Sequence, residues 1–269
     1  MAKDIIVAFI TVASIGLIAG ILLAIISHLF KSEEDSRLTA VRACLPGYNC
    51  GACGYRGCDD YAAAIAKGEA KANLCIPGGT ATTSELAALL GVTVGKAAEM
   101  TAFVHCNGTC EATEKKAVYD GVHTCKAAAM IYGGPNTCTY GCLGYGDCAD
   151  VCPSKTICIE DGIARIDPNG CVGCGLCART CPKHLISIIP KGTTTAVMCN
   201  NSNKGAEARK ACTNACIGCK KCEKTCETGA ITVTDNLAKI DYEKCNGCGA
   251  CVENCPTHCL KQLLLGNLT

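Results

Sequence analysis

From Ile5 to Phe30 the chain is apolar without interruption by Asp, Glu, Lys or Arg, and its one ionisable side chain is His28 near the end. A helix over those residues would be ~39 Å long at ~1.5 Å per residue, enough to cross a ~30 Å hydrocarbon layer. A cleaved signal peptide would carry a shorter apolar core, usually ~7–15 residues, closed by small residues. This run leaves through "SHLFKSEED" instead. The pattern therefore predicts one N-terminal transmembrane helix. Lys31, Arg37 and Arg42 follow it, against Lys3 and the free amine before it, so the positive-inside rule puts the body of the chain on the cytoplasmic side. A second, short helix is expected from Asp59 to Lys67, rich in alanine, with Asp59 and Asp60 suiting its positive N-terminal end.

Composition changes the picture for the rest of the chain. Of 269 residues 28 are cysteine, while there is no Trp and there are three Phe, so large apolar cores are not expected. Metal ligation can replace them, because ligation free energy becomes folding free energy. A reducing cytoplasm argues against a disulfide scaffold, which leaves zinc or iron–sulfur clusters, and spacing separates the two. A net charge of +1 points to no nucleic-acid partner.

Two segments match the bacterial ferredoxin pattern C-x2-C-x2-C-x3-C-P: "CVGCGLCARTCP" (Cys171, Cys174, Cys177, Cys181) and "CNGCGACVENCP" (Cys245, Cys248, Cys251, Cys255). A third, "CIGCKKCEKTCE", carries Cys216, Cys219, Cys222 and Cys226 with Glu227 in place of proline. The full matches lie 74 residues apart, and an ungapped shift of 74 also lays Cys125 on Cys199, Cys138 on Cys212, Cys142 on Cys216, Cys148 on Cys222 and Cys152 on Cys226. The chain thus contains a tandem repeat. Tyr145 stands where the second copy has Cys219. Cys138, four residues before Cys142, is the nearest spare sulfur and is expected to substitute.

In such loops three thiolates wrap one cubane, glycines let the backbone come close (Gly173, Gly175, Gly218, Gly247, Gly249), and the fourth cysteine ligates the other cluster of the pair. The rule assigns Cys138, Cys142, Cys148 and Cys181 to one centre and Cys171, Cys174, Cys177 and Cys152 to its partner. In the second unit it assigns Cys216, Cys219, Cys222 and Cys255, then Cys245, Cys248, Cys251 and Cys226. Zinc sites use two separated cysteine pairs or pairs mixed with histidine, which is not this pattern.

Upstream, "CGACGYRGCDDYAAAIAKGEAKANLCIPGG" spaces Cys50, Cys53, Cys58 and Cys75 as one further four-sulfur site. Cys58 falls just before the alanine-rich helix, where free amides favour a thiolate; a zinc site is the competing reading there. Cys106, Cys110 and Cys125 lack a fourth partner. With Cys199 or Cys212 they would make a sixth cluster; the alternative is buried free thiols. Cys44, Cys158 and Cys259 read as structural. No C-x-x-C-H haem motif, no G-x-G-x-x-G nucleotide motif and no nucleophile or acid–base pair is found, and His28, His105, His123, His184 and His258 are isolated along the chain. The remaining chemistry is one-electron transfer. Between Cys199 and Cys226, Lys204, Arg209, Lys210, Lys220, Lys221 and Lys224 face only Glu207 and Glu223, a net +4 that could steer an acidic partner or simply be a solvated face.

One apolar N-terminal helix, a C-x2-C-x4-C-x16-C segment and two ferredoxin-type units together resemble the B subunits of the Rnf complex, the ion-translocating ferredoxin:NAD+ oxidoreductase. "CGACGYRGC", "CIPGG" and "CNGCGACVENCPTHCL" carry the likeness. The resemblance implies an electron-transfer subunit of that translocase, with no complete catalytic site of its own. It implies electrons taken from reduced ferredoxin, relayed through [4Fe-4S] clusters, and passed to other Rnf membrane and NADH-binding subunits that hold flavin and NAD. A membrane-anchored polyferredoxin carrier uncoupled from pumping, or a related complex reducing a redox-sensing transcription regulator, are the competing outputs. The expected architecture is α+β: a transmembrane anchor over 1–30, a small, mainly helical four-Cys domain with a linker helix over 31–104, ferredoxin-like unit one with a cysteine-containing insertion over 105–196, and unit two over 197–269. The expected location is the cytoplasmic (inner) membrane, single-pass.

Overall fold

The computed structural model describes residues 2–29, 36–95 and 98–263. Phe30, Lys31 and the last six residues of the expected second unit lie outside them. A first helix, α1, runs over Ala2–Leu29, close to the expected bounds. The transmembrane assignment does not hold: among the described residues no helix is long and apolar enough to cross a membrane. The single-pass anchor, and the membrane and cytoplasmic-side location derived from it, are corrected accordingly.

The four-Cys segment is helical. Helices α2 (Ser36–Cys44), α3 (Cys58–Ala66) and α4 (Gly79–Leu90) pack around Val41, Leu45, Tyr61, Ile65, Cys75 and Leu86. Helix α3 is the expected alanine-rich one, beginning one residue earlier, at Cys58 itself. Small residues let it lie close to α2, and its first-turn Asp59 and Asp60 pair with Arg42 and Arg56, the latter at 2.6 Å. Helix α4 stops at Gly91, whose φ of 67° is the left-handed conformation that glycine tolerates without strain.

Unit one then follows as β1 (Met100–Val104), α5 (Cys125–Ala129), α6 (Asp147–Asp150), β2 (Ile157–Glu160), β3 (Ile163–Ile166), α7 (Leu176–Thr180) and β4 (Ile186–Pro190). Unit two is β5 (Thr195–Val197), α8 (Gly205–Ala211), α9 (Lys221–Thr225), β6 (Ile231–Thr234), β7 (Leu237–Ile240), α10 (Ala250–Glu253) and β8 (Leu260–Gln262). Each unit holds two antiparallel pairs. The inner hairpins, β2 with β3 and β6 with β7, register Ile157 on Ile166 and Ile231 on Ile240, positions 74 residues apart. Asp161–Gly162 and Asp235–Asn236 turn these hairpins with positive φ at both residues, the two-residue geometry whose twist matches the strands.

The outer pairs, β1 with β4 and β5 with β8, join the start of each unit to its end. They register Val104 on Ile186 and Val197 on Leu260. Ile186 and Leu260 keep the 74-residue offset, but Val104 and Val197 are 93 residues apart, so unit one carries a 19-residue insertion after its first strand. The first strand of unit one lies before the expected start of that unit, and the first strand of unit two straddles its expected start. Apolar strand residues and ligand cysteines fill each core together: Ile163, Ile166, Leu185 and Ile186 with Cys148 and Cys177, and Ile231, Leu237 and Leu260 with Cys216, Cys222 and Cys251. His105 ties the units to each other, its Nδ1–H donating to the carbonyl of Val197 at 2.8 Å while Nε2 meets Ser187 Oγ at 2.6 Å.

Candidate iron–sulfur centres

The sulfurs gather in groups of four. Cys50, Cys53 and Cys58 are the cysteine neighbours of Cys75. Asn49 Oδ1 accepts the N–H of Cys58 at 2.8 Å and fixes the start of α3. The Tyr61 hydroxyl donates to the carbonyl of Lys71 at 2.7 Å and accepts the N–H of Leu74 at 3.1 Å. Cys75 is thereby brought back beside α3.

In unit one, Cys152, Cys171, Cys174 and Cys177 line one cavity with Ala102 and Pro153. Amides of Ala102 and Gly173 point at Cys171 Sγ from 3.3 and 3.5 Å, the kind of donor that stabilises anionic sulfur. Gly173 has φ 66°, and a Cβ there would lie 2.7 Å from the carbonyl oxygen of Met100 and 3.1 Å from Ile76 of the helical domain, so only glycine lets the two domains close. Across that contact Cys50 lies near enough to Cys174 for their charges to interact.

The other cavity of unit one is lined by Cys125, Cys142, Cys148 and Cys181. Cys125 lines this cavity, whereas Cys138, expected here, does not. Local chemistry explains how. Thr124 caps α5 by accepting the N–H of Ala127 at 3.2 Å, and the Asp147 carboxylate of α6 accepts the N–H groups of Cys125 at 2.8 Å and Lys126 at 3.0 Å. The insertion is docked onto α6 with its cysteine facing the cavity. Lys183 holds its far end, donating to the carbonyls of Gly133 and Thr139, both at 2.7 Å.

Cys138 lies elsewhere, in a cavity shared with Cys106, Cys199 and Cys212. The grouping of Cys106 with Cys110 and Cys125 is not observed: Cys110 is exposed and lines none of these three cavities. Likewise the ungapped match of Cys125 with Cys199 is a coincidence of register. Cys106 is the structural counterpart of Cys199, each two residues past the paired valine, and the shared pattern T-x-x-V-x-C at Thr101–Cys106 and Thr194–Cys199 is the sequence signal that marks it.

In unit two, Cys216, Cys219, Cys222 and Cys255 line one cavity, and Cys226, Cys245 and Cys248 are the cysteine neighbours of Cys251. Cys259, read as structural, also faces the first of these, 3.7 Å from Cys255 Sγ, and its thiol holds the pKa of Cys216 and Cys255 below the ordinary thiol range. Burial pushes other thiols up, to about 12 for Cys106 and Cys148 and to about 11 for Cys177, Cys199 and Cys222. Metal ligation must deprotonate these sulfurs, so filling such sites releases protons.

At least four thiols in each cavity, with amides aimed at sulfur, suit a four-iron cubane. Among the described residues no group of three or more His, Cys, Asp or Glu that could hold a metal ion is found. Fold and site define a ferredoxin-type carrier with several clusters. Family comparison agrees: the chain matches an Fe-S cluster family over residues 45–77, a 4Fe-4S binding domain over 164–187 and a 4Fe-4S dicluster domain over 215–259. It is 44% identical, over 91% of its length and 74% of the relative's, to the B subunit of the Na(+)-translocating ferredoxin:NAD(+) oxidoreductase complex of Acetobacterium woodii. It is 41% identical to the B subunit of the proton-translocating ferredoxin:NAD(+) oxidoreductase complex of Clostridium ljungdahlii, over 98% and 94% of the two chains. With the B subunit of the ion-translocating oxidoreductase complex of Methanosarcina acetivorans it shares 37% over 95% and 97%. The chain belongs to the family of B subunits of ion-translocating ferredoxin:NAD+ oxidoreductase (Rnf) complexes, and its role is that of an iron–sulfur electron-transfer subunit.

Proposed function

We propose that this chain takes electrons from reduced ferredoxin and relays them singly through at least five [4Fe-4S] centres toward the other subunits of the complex. The ligand sets are Cys50, Cys53, Cys58 and Cys75; Cys152, Cys171, Cys174 and Cys177; Cys125, Cys142, Cys148 and Cys181; Cys216, Cys219, Cys222 and Cys255; and Cys226, Cys245, Cys248 and Cys251. The observation that carries this reading is the convergence of five cysteine quartets, with Cys50 beside Cys174 joining the helical domain to unit one. Bound clusters would supply one-electron redox chemistry at low potential.

The chain's own residues hold the sulfurs, aim amides at them and exclude water from most of them. Cys219 and Cys248 are the exposed members of their quartets. Beside Cys219 stand Lys220, Lys221 and Lys224 on or next to α9, and Lys220 meets only Glu223, at 4.0 Å. A partner with an acidic face would be steered to that edge, which makes unit two the side where electrons enter and the helical domain the side where they leave.

Two measurements test this. Reduced ferredoxin mixed anaerobically with the purified chain should bleach its visible absorbance within the mixing experiment; an unchanged spectrum would contradict the donor assignment. The chain isolated from its host should bring other subunits of the complex and ferredoxin-dependent NAD+ reduction with it, whereas isolation alone would favour an uncoupled carrier.

A further inference from the structure

Lys183 carries a positive charge for which the fold supplies no carboxylate. It follows the C-P pair of unit one and lines the cavity of Cys125, Cys142, Cys148 and Cys181 from a half-buried position. Its ammonium donates to the carbonyls of Gly133 and Thr139, both at 2.7 Å, and these are neutral groups. Among the described residues no Asp or Glu lies within ion-pair distance of it. Asp147 lines the same cavity, but its two carboxylate oxygens accept the amides of Cys125 and Lys126. Burial pulls the Lys183 pKa below the ordinary lysine value and Lys116 adds to this, while Cys138 and Cys181 oppose it. A cation taken partly out of water without a counter-ion is costly. The anions at hand to offset that cost are ligand sulfurs.

The backbone around the ammonium is shaped to hold it. Tyr132, Gly133 and Gly134 all have positive φ, at 46°, 75° and 100°, a left-handed run that presents the Gly133 carbonyl to Nζ. Lys116 Nζ takes the neighbouring Tyr132 carbonyl at 2.9 Å. A Cβ on Gly133 would stand 3.4 Å from Lys183 Nζ, so the charge sits tight against the turn. The second unit does otherwise. Its equivalent residue, 74 positions on, is Thr257, buried and uncharged, with its hydroxyl 3.8 Å from Cys255 Sγ. Lys220 and Lys221 line that quartet's cavity too, but both are exposed, where water and salt screen them. Unit one thus holds a cation beside its quartet where unit two has a hydroxyl.

We propose that Lys183 sets the potential of the centre held by Cys125, Cys142, Cys148 and Cys181 by stabilising its reduced form. The proposal rests on the ligand set given above and adds a tuning residue outside it. The step is the gain of one electron, with no proton taken up and no bond made or broken. The reduced centre carries one more negative charge than the oxidised one, so a fixed cation beside it favours reduction. Lys183 is not a ligand; it acts through its charge.

The test uses the full chain purified without oxygen, as wild type, Lys183→Gln, Lys183→Arg, and Lys183→Gln combined with Cys125→Ala. Gln keeps an N–H donor for the carbonyls and loses the charge; Arg keeps both. A redox titration followed by electron paramagnetic resonance reads each centre. In Lys183→Gln the iron per chain should match the wild type, and the reduction constant of one centre should fall about tenfold, which is ~59 mV for one electron. Lys183→Arg should hold the wild-type potential. In the double variant the shifted signal should be missing, which assigns it to this centre. An unshifted potential in Lys183→Gln, an equal fall in Lys183→Arg, or a shifted signal that survives in the double variant would overturn the proposal and leave the five-centre relay standing. A wild-type chain without iron would remove both. Should Lys183→Gln lose iron, Thr257→Lys decides: it should raise the potential of the centre that holds Cys216, and no rise would overturn the proposal.

Discussion

The thiol of Cys259 lies 3.7 Å from Cys255 Sγ, in the cavity of the quartet that Cys216 opens. In unit one the matching position, 74 residues earlier, is Leu185, equally buried at 1% exposure. The two copies thus differ by one S–H donor aimed at ligand sulfur. Hydrogen bonds to sulfur raise cluster potential by stabilising the more negative, reduced form. Cys259→Leu should leave iron content and folding unchanged, since unit one shows that leucine fits. It should lower the potential of one centre by ~40 mV, the one-electron equivalent of about 1 kcal/mol for one hydrogen bond. A redox titration followed by electron paramagnetic resonance reads the shift.

On the proposed ligand sets Cys125 substitutes for a missing loop cysteine, and this can be reversed. Cys125→Ala should remove about four irons per chain and slow transfer through unit one. Adding Tyr145→Cys restores the cysteine that unit two has as Cys219, and should return the iron. Cys138→Ala should not perturb this centre's spectrum, because Cys138 faces the junction instead.

The limit of sequence reading is clear at these residues. The C-x2-C-x2-C-x3-C-P loops are local, so spacing alone puts Cys171, Cys174 and Cys177, or Cys245, Cys248 and Cys251, side by side, as they lie in the fold, and the tandem repeat reveals two units. Spacing misplaces Cys125 because a 19-residue insertion happens to bring it 74 residues before Cys199. Which sulfur fills a gap depends on how α5 docks on α6, through Asp147, and on which strands pair at the edges of each unit. Neither is written in cysteine spacing. The N-terminal helix is legible as a helix, but its length and apolarity as a membrane span are not supported among the described residues.

The basic edge gives a kinetic test. Replacing Lys220, Lys221 and Lys224 together by Glu should slow reduction by ferredoxin about tenfold or more at low ionic strength and flatten its salt dependence. These side chains are on the surface of unit two, so iron content should stay the same. Stopped-flow rates at several salt concentrations check it, and an unchanged rate removes this edge as the docking site.

Cluster-free protein should be sensitive to alkali. Burial raises the folded-state pKa of Cys106 and Cys148 to about 12 and of Cys199 and Cys222 to about 11. In the unfolded chain thiols ionise near ~8.5. Unfolding therefore releases protons above that point, and the stability these neutral thiols supply is full below pH ~8.5 and is lost as pH rises toward 11–12. Melting temperatures of the apo chain should fall across that window. In the loaded protein the sulfurs are already deprotonated by iron, so this fall should be absent.

Mössbauer spectroscopy of protein grown on 57Fe and purified without oxygen tests the relay most directly. All iron should appear as thiolate-ligated four-iron clusters, at about 20–24 atoms per chain, and all of it should become reducible by ferredoxin. A colourless, zinc-loaded chain, or iron held in clusters that ferredoxin cannot reduce, would contradict it.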